Sequence, residues 1–169
     1  HQGPPYDKDG QWANSATSDP ALLASLLSEP WLALPAPKST GRDLFNLVWL
    51  QKHLDLVDPN SGLSAAIVQS TLMDLTVHTI AQAIQPYAAQ VQELIVCGGG
   101  AANPALLKRL GDQLTMPIRS SAELGMDPQS IEALAFAWLA YAHVERIPAG
   151  LPAVTGARHA TVLGACYPA

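Results

Sequence analysis

Three consecutive glycines, Gly98, Gly99 and Gly100, close the apolar run Leu94 to Cys97 in "ELIVCGGGAANPALLKRL" and lead into Asn103 and Pro104. A strand, then glycines, then a helix N-terminus lets backbone N–H groups and the positive end of a helix dipole meet an anion or a nucleotide ribose, because no Cβ blocks the approach. The loop is not a Walker A sequence, since no Gly-Lys-Ser/Thr follows. It is not a GxGxxG fingerprint either, because Ala101, Ala102 and Asn103 come next and no acidic residue is convincingly placed about 20 residues on to read a ribose. The same residues also describe a tight strand-to-helix connection with Asn103 as N-cap. From the residues alone both readings stay open.

Glu132 is the second position of interest. Between Ile131 and Ala142 it is the only charge, set beside Ala135, Phe136 and Leu139. A carboxylate on such a surface calls for a partner, either a neighbouring loop or a ligand, because an unpaired buried polar group costs several kcal/mol. Other constellations are weaker. His53, His78, His143 and His159 have no metal-ligand spacing and read as surface or satisfied core residues. "DKDG" at Asp7 to Gly10 opens like a calcium loop but lacks the later Glu, and reads as a solvated turn. Lys38, Ser39, Thr40 and Arg42 cluster donors in a loop that can meet phosphate or sugar oxygens or simply face water. Cys97 and Cys166 stand far apart and outside any CxxC pair, so no disulfide framework or zinc site is expected and a reducing compartment is inferred.

The elements that must position these residues are mostly helical. Asp19-Pro20 is a cap and first-turn signal for a helix over "ALLASLLSEP", stopped by Pro30. "NLVWLQKHL" (46–54) reads as a short helix and "DPNSG" as a turn. A long helix is expected from Ser64 to about Gln85, with Val68, Leu72, Leu75, Thr79 and Ala83 on its apolar face and Asp74, His78 and Gln82 on another. Leu94 to Cys97 reads as a buried strand in a parallel sheet, with "MPIRSS" as a second strand. Asn103-Pro104 starts the helix "PALLKRLGDQL", and Asp127-Pro128 repeats the signal before "PQSIEALAFAWLAYAHVER". There Ile131, Leu134, Ala135, Trp138, Leu139 and Ala142 form an apolar stripe. The last residues read as a glycine-punctuated loop.

Composition bounds the rest. A chain of 169 residues, 49% of them hydrophobic, suits one domain with a real core. No long apolar run or cleavable leader is visible, so no membrane span is expected. A net charge of −5 with nine scattered Lys and Arg gives no electrostatic reason to expect nucleic acid as a partner. The chain opens at His1 without an initiator Met, which makes a piece of a longer protein an expectation.

Together, "PAPKSTGRDLFNLVWLQKHL", "VCGGGAANPALLKRL", "IEALAFAWLA" and "LPAVTGARHATVLGACYPA" resemble the C-terminal half of anhydro-N-acetylmuramic acid kinase, from Tyr6 to Ala169 in one order. The resemblance implies an α/β fold, a helix-rich part of an actin-like ATPase (ribonuclease H-like) domain with a short parallel sheet. Residues 1–169 would form the C-terminal domain of a two-domain sugar kinase. It implies ATP-dependent phosphorylation and hydrolytic ring opening of 1,6-anhydro-N-acetylmuramic acid to N-acetylmuramic acid 6-phosphate in cytoplasmic cell-wall recycling. Gly98, Gly99, Gly100 and Asn103 are then expected on the nucleotide side and Glu132 on the sugar side. The family's "MSGTS.DG", "NIGG" and "D.GPGN" motifs are expected before His1, so no catalytic residue is expected in this chain, and Mg2+ with the ATP phosphates would be held mainly by those parts. The chain alone is then expected to be inactive. The implied partners are the amino sugar and ATP, with a homodimer left open. Two departures from the family pattern are Ala122, where an Asp precedes "ELG", and "PAGLP" in place of "PGNLP". A catalytically inert nucleotide-binding or interaction module is the alternative.

Overall fold

The computed structural model describes residues 6–167. Its elements are α1 (Pro20–Leu27), α2 (Leu47–Val57), α3 (Ala65–Ile84), β1 (Leu94–Val96), α4 (Pro104–Gln113), β2 (Ile118–Ser120), α5 (Ile131–Val144) and the short α6 (Pro152–Thr155), with several 3-10 turns between them. Two of the three expected helix caps form, at Asp19 and Asn103, and Asn46 and Ser64 cap α2 and α3 as well. Asp19 accepts a hydrogen bond from the Leu22 N–H at 2.7 Å, Asn46 from Trp49 at 3.0 Å, Ser64 from Ile67 at 3.3 Å and Asn103 from Leu106 at 2.9 Å. Each occupies an otherwise orphaned donor of a first helical turn. α2 runs three residues beyond its expected end, to Val57. There Asp58 turns the chain by accepting from Gly62 and Leu63, both at 2.8 Å.

β1 and β2 are parallel, with Leu94 opposite Ile118 and Val96 opposite Ser120, and α4 crosses between them. The strand expected at Leu94 to Cys97 is half-buried rather than buried, and Cys97 is exposed. A two-stranded sheet covered on one side by α4 cannot enclose either strand.

α3 is the axis, packed against both α1 and α4. Its buried face is Ser70, Thr71, Met73 and Val77, meeting Leu22 and Leu26 of α1 and Leu110 of α4. This corrects the apolar-face reading, because Leu72, Leu75 and Thr79 are only half-buried and Ala83 is exposed. Small polar residues replace them in the core because every one finds a partner. Thr71 Oγ1 donates to the Ile67 carbonyl at 2.8 Å and accepts from the Asp19 N–H at 2.9 Å, and Ser70 Oγ donates to the Ala16 carbonyl at 2.9 Å. Satisfied hydroxyls are buried at far lower cost than unsatisfied ones.

The opening turn is not solvated as its sequence implies. Asp7 accepts from Trp12 and Ala13 at 2.8 and 2.9 Å, and Gly10 is buried at φ +69° against the start of α4. A Cβ on Gly10 would overlap Asn103 Oδ1 and lie 2.8 Å from Ala105 Cβ, which is why only glycine fits.

α5 departs most from expectation. It begins at Ile131, three residues after Pro128, because Asp127 spends its carboxylate on the Gln129 N–H at 3.2 Å and the Ser130 hydroxyl at 2.7 Å instead of capping the helix. Of its apolar stripe only Ala142 is buried, whereas Leu134 is 57% and Trp138 53% exposed. The period is helical, but no described helix or strand packs extensively on the stripe.

His53 is a satisfied core histidine, as read. It is 7% exposed, its Nδ1 lies 2.8 Å from Ser25 Oγ, and its ring meets Trp49 edge-on at 4.8 Å. Burial pushes its pKa below the usual 6.5, Lys52 adds to this, and Glu29 opposes it. Because the folded value is depressed, the unfolded chain binds the extra proton first. Stability should therefore be complete above about pH 6.5 and decline as pH falls through the folded value. Urea titrations from pH 8 to 5 should show that slope, and His53→Gln should flatten it; an unchanged slope would assign it to other groups.

Candidate functional site at the carboxyl ends of the strands

The parallel register brings the glycine triplet and the 121–124 turn to the same end of the sheet, since Val96 and Ser120 are paired and both chains leave there. In open α/β sheets that end is where ligands bind. Gly98 has φ +69° and ψ −163°, a conformation reserved for glycine. Its N–H donates to the Pro128 carbonyl at 2.9 Å, fastening the triplet to the approach to α5. Gly99 to Ala102 form a 3-10 turn, and the N–H groups of Gly99 and Gly100 have no acceptor among the described residues.

The space around the triplet is informative. A Cβ on Gly98 or Gly99 would meet nothing within 4 Å, and on Gly100 only Leu106 at 3.6 Å and Val96 at 4.0 Å, an ordinary contact. The backbone demands glycine at position 98, whereas packing demands it at neither 99 nor 100. What glycine provides there is an unobstructed backbone with free donors, the chemistry of close approach by a polar ligand. Asn103 adds a fixed amide: Oδ1 is held by the Leu106 N–H, while Nδ2 has no acceptor among the described residues. The two readings of the triplet are therefore compatible, because Asn103 caps α4 and still presents donors.

Glu132 lies in the first turn of α5, four residues beyond Pro128, which the triplet grips. It is exposed, and among the described residues its carboxylate has no partner, so the loop contact that would make it a structural tie is not formed. The positive end of the helix favours a carboxylate there. The four donors of "PKSTGR" do not act together. Lys38 turns back to the Trp31 and Leu32 carbonyls at 3.3 and 2.7 Å, whereas Arg42 stands apart.

Two features around the sheet escaped sequence reasoning. Arg119 joins Glu93 at 3.2 Å and Glu123 at 3.3 Å. The Ser120 N–H and then Arg119 hold the Glu123 carboxyl below its usual range, and the two carboxylates raise Arg119. The i,i+4 spacing of Arg119 and Glu123 was the available signal. Ala122 sits within the capping box that Ser120 and Glu123 close. Ser121, next in line, is 1% exposed and its hydroxyl has no partner among the described residues. No three His, Cys, Asp or Glu side chains gather into a cation site among the described residues, and none of their helices is long and apolar enough to cross a membrane.

The chain is 54% identical over 172 residues to an anhydro-N-acetylmuramic acid kinase of Bordetella avium, 52% identical over 170 residues to that of Bordetella pertussis and 48% identical over 168 residues to that of Pseudomonas fluorescens. These alignments cover 99–100% of the chain but only 45–46% of the relatives, so the chain spans about half their length. The sequence model of the anhydro-N-acetylmuramic acid kinase family matches residues 1–169, and with the relatives it shows that the chain belongs to that family.

Proposed function

We propose that this chain forms the nucleotide- and sugar-contacting C-terminal domain of a cytoplasmic kinase with an actin-like ATPase fold. That enzyme would phosphorylate 1,6-anhydro-N-acetylmuramic acid with ATP while water opens the anhydro ring, yielding N-acetylmuramic acid 6-phosphate. The observation that supports the nucleotide assignment is the open face of Gly99 and Gly100, with free N–H donors that no packing requirement explains. In this reading Gly98 sets the turn, Gly99 and Gly100 face the nucleotide, Asn103 Nδ2 donates to it, and Glu132 accepts hydrogen bonds from the sugar. ATP brings Mg2+ on its phosphates. In this reading phosphate and metal are held mainly by the remaining length of the enzyme, since the chain spans about 45% of its relatives. The same division of labour predicts that phosphoryl transfer needs the family-length enzyme, in which this chain is joined to the remaining length of its relatives.

The test is an assay of that family-length enzyme with ATP and the anhydro sugar, product identified by mass. Gly99→Val should raise the KM for ATP roughly fivefold, about 1 kcal/mol of lost approach, and leave the KM for sugar unchanged. Equal changes in both, or none in either, would place the nucleotide elsewhere.

A further inference from the structure

The stripe of α3 that does not enter the core has another setting. Leu72 and Leu75 face α2 and the loop before it across a groove of about 680 Å3, within the range of small-molecule sites. Trp31, Phe45 and Trp49 build the opposite wall as an edge-to-face ladder, with ring centroids 5.8 and 5.0 Å apart and interplanar angles of 87° and 89°.

That wall is fixed from behind. Glu29 accepts from the Trp49 indole N–H at 2.9 Å and from the Trp31 backbone N–H at 3.3 Å, and Lys38 Nζ lies 4.6 Å from the Trp31 ring centroid. The lining hydroxyls are also satisfied internally, Thr76 on the Leu72 carbonyl at 3.0 Å and Thr79 on that of Thr76 at 3.0 Å. Two polar groups are left over among the described residues, the Trp31 indole N–H and the Arg42 guanidinium. Arg42 is the single charged residue lining the groove, and its guanidinium has no acceptor among the described residues. In a chain of net charge −5, a pre-formed apolar trough with one unneutralised cation among its lining residues complements one kind of molecule.

We propose that this groove binds an amphipathic monoanion, an acyl chain lying against the aromatic wall and Leu72 and Leu75 with its carboxylate or phosphate on Arg42. The site is built on α2, α3 and the loop between Pro30 and Asn46, apart from the glycine triplet and Glu132. It therefore stands independently of the kinase assignment.

Decanoate, decyl phosphate and decan-1-ol should be titrated into the family-length protein carrying Trp12→Phe and Trp138→Phe, so that of this chain's four tryptophans only Trp31 and Trp49 of the groove remain. Decanoate should give a saturable change in tryptophan emission. Decan-1-ol should bind at least roughly tenfold more weakly, and Arg42→Gln should weaken decanoate to a similar degree, one charge-assisted contact in each case. Decyl phosphate tighter than decanoate identifies a phosphate head group, and the reverse a carboxylate; both support the site. Arg42 is exposed, so the variant should keep its fold, and the alcohol comparison needs no variant. No saturation, as when the remaining length of the protein fills the groove, overturns the proposal. So does equal binding of alcohol and acid, an Arg42→Gln protein that binds unchanged, or a dimer that dissociates as decanoate is added.

Discussion

Arg109→Ala is expected to lower the free energy of unfolding by about 3 kcal/mol, a large share of what holds a domain of this size together. The guanidinium leaves α4 and reaches four acceptors. Nη1 donates to Asp74 Oδ1 at 2.6 Å and to the Ser70 carbonyl at 3.1 Å, while Nη2 donates to the Ala13 carbonyl at 3.2 Å and Ser70 Oγ at 3.1 Å. The two charged side chains are only 19% and 23% exposed, so water screens the pair poorly. Truncation would strand Asp74 and part of the polar core of α3, which is costlier than the bond itself is favourable. Arg109→Lys keeps a charge for Asp74 but cannot span four acceptors with one ammonium, and should recover less than half of the loss. Urea unfolding with an unchanged slope is the measurement. A loss below about 1 kcal/mol would make the pair an ordinary surface salt bridge.

Arg109 also shows where sequence reading stops. The caps at Asp19 and Asn103 were legible because each stands before a proline at the first helical position, and a cap and its N–H lie three residues apart. The parallel pairing of β1 and β2 was legible in part, since β-branched apolar residues before a glycine run and a helix imply a crossover unit. The buried face of α3 was not. Ser70 and Thr71 look like surface residues until Ala16, Asp19 and Arg109, each at least 39 positions away, supply their partners. The expected apolar face ran instead through Leu72 and Leu75, which line the groove.

α5 fails differently. Its period correctly gives a helix, but a periodic stripe states only that cover is wanted, not what provides it, and Phe136, Trp138 and Tyr141 remain more than half exposed. Asp127 misplaced the start because Asp serves a turn as readily as a helix, and Ser130 was present to complete the turn. At the site, the triplet's type was legible and its geometry was not. No sequence pattern distinguishes Gly98, required by its own φ, from Gly99, which is open on its Cβ side.

Glu132→Gln should reduce kcat/KM for the anhydro sugar by roughly tenfold or more in the family-length enzyme and leave the KM for ATP unchanged. The substitution keeps the shape and one acceptor oxygen, so it isolates the charge. Because Glu132 is exposed and unpaired among the described residues, its removal disturbs no internal contact. The helix-dipole interaction that is lost amounts to about 0.3–1 kcal/mol, too little to unfold a domain. A fall in turnover without a fall in melting temperature would then report an interaction with substrate. A carboxylate accepting from a sugar hydroxyl or an N-acetyl N–H forms a charge-assisted bond worth about 1.5–3 kcal/mol, which neutral Gln cannot match. Holding the ring in this way is positioning rather than proton transfer, so the pH profile of kcat should keep its shape while its height drops. Equal losses for sugar and ATP, or a variant that melts early, would make Glu132 a structural residue and move the sugar site away from the first turn of α5.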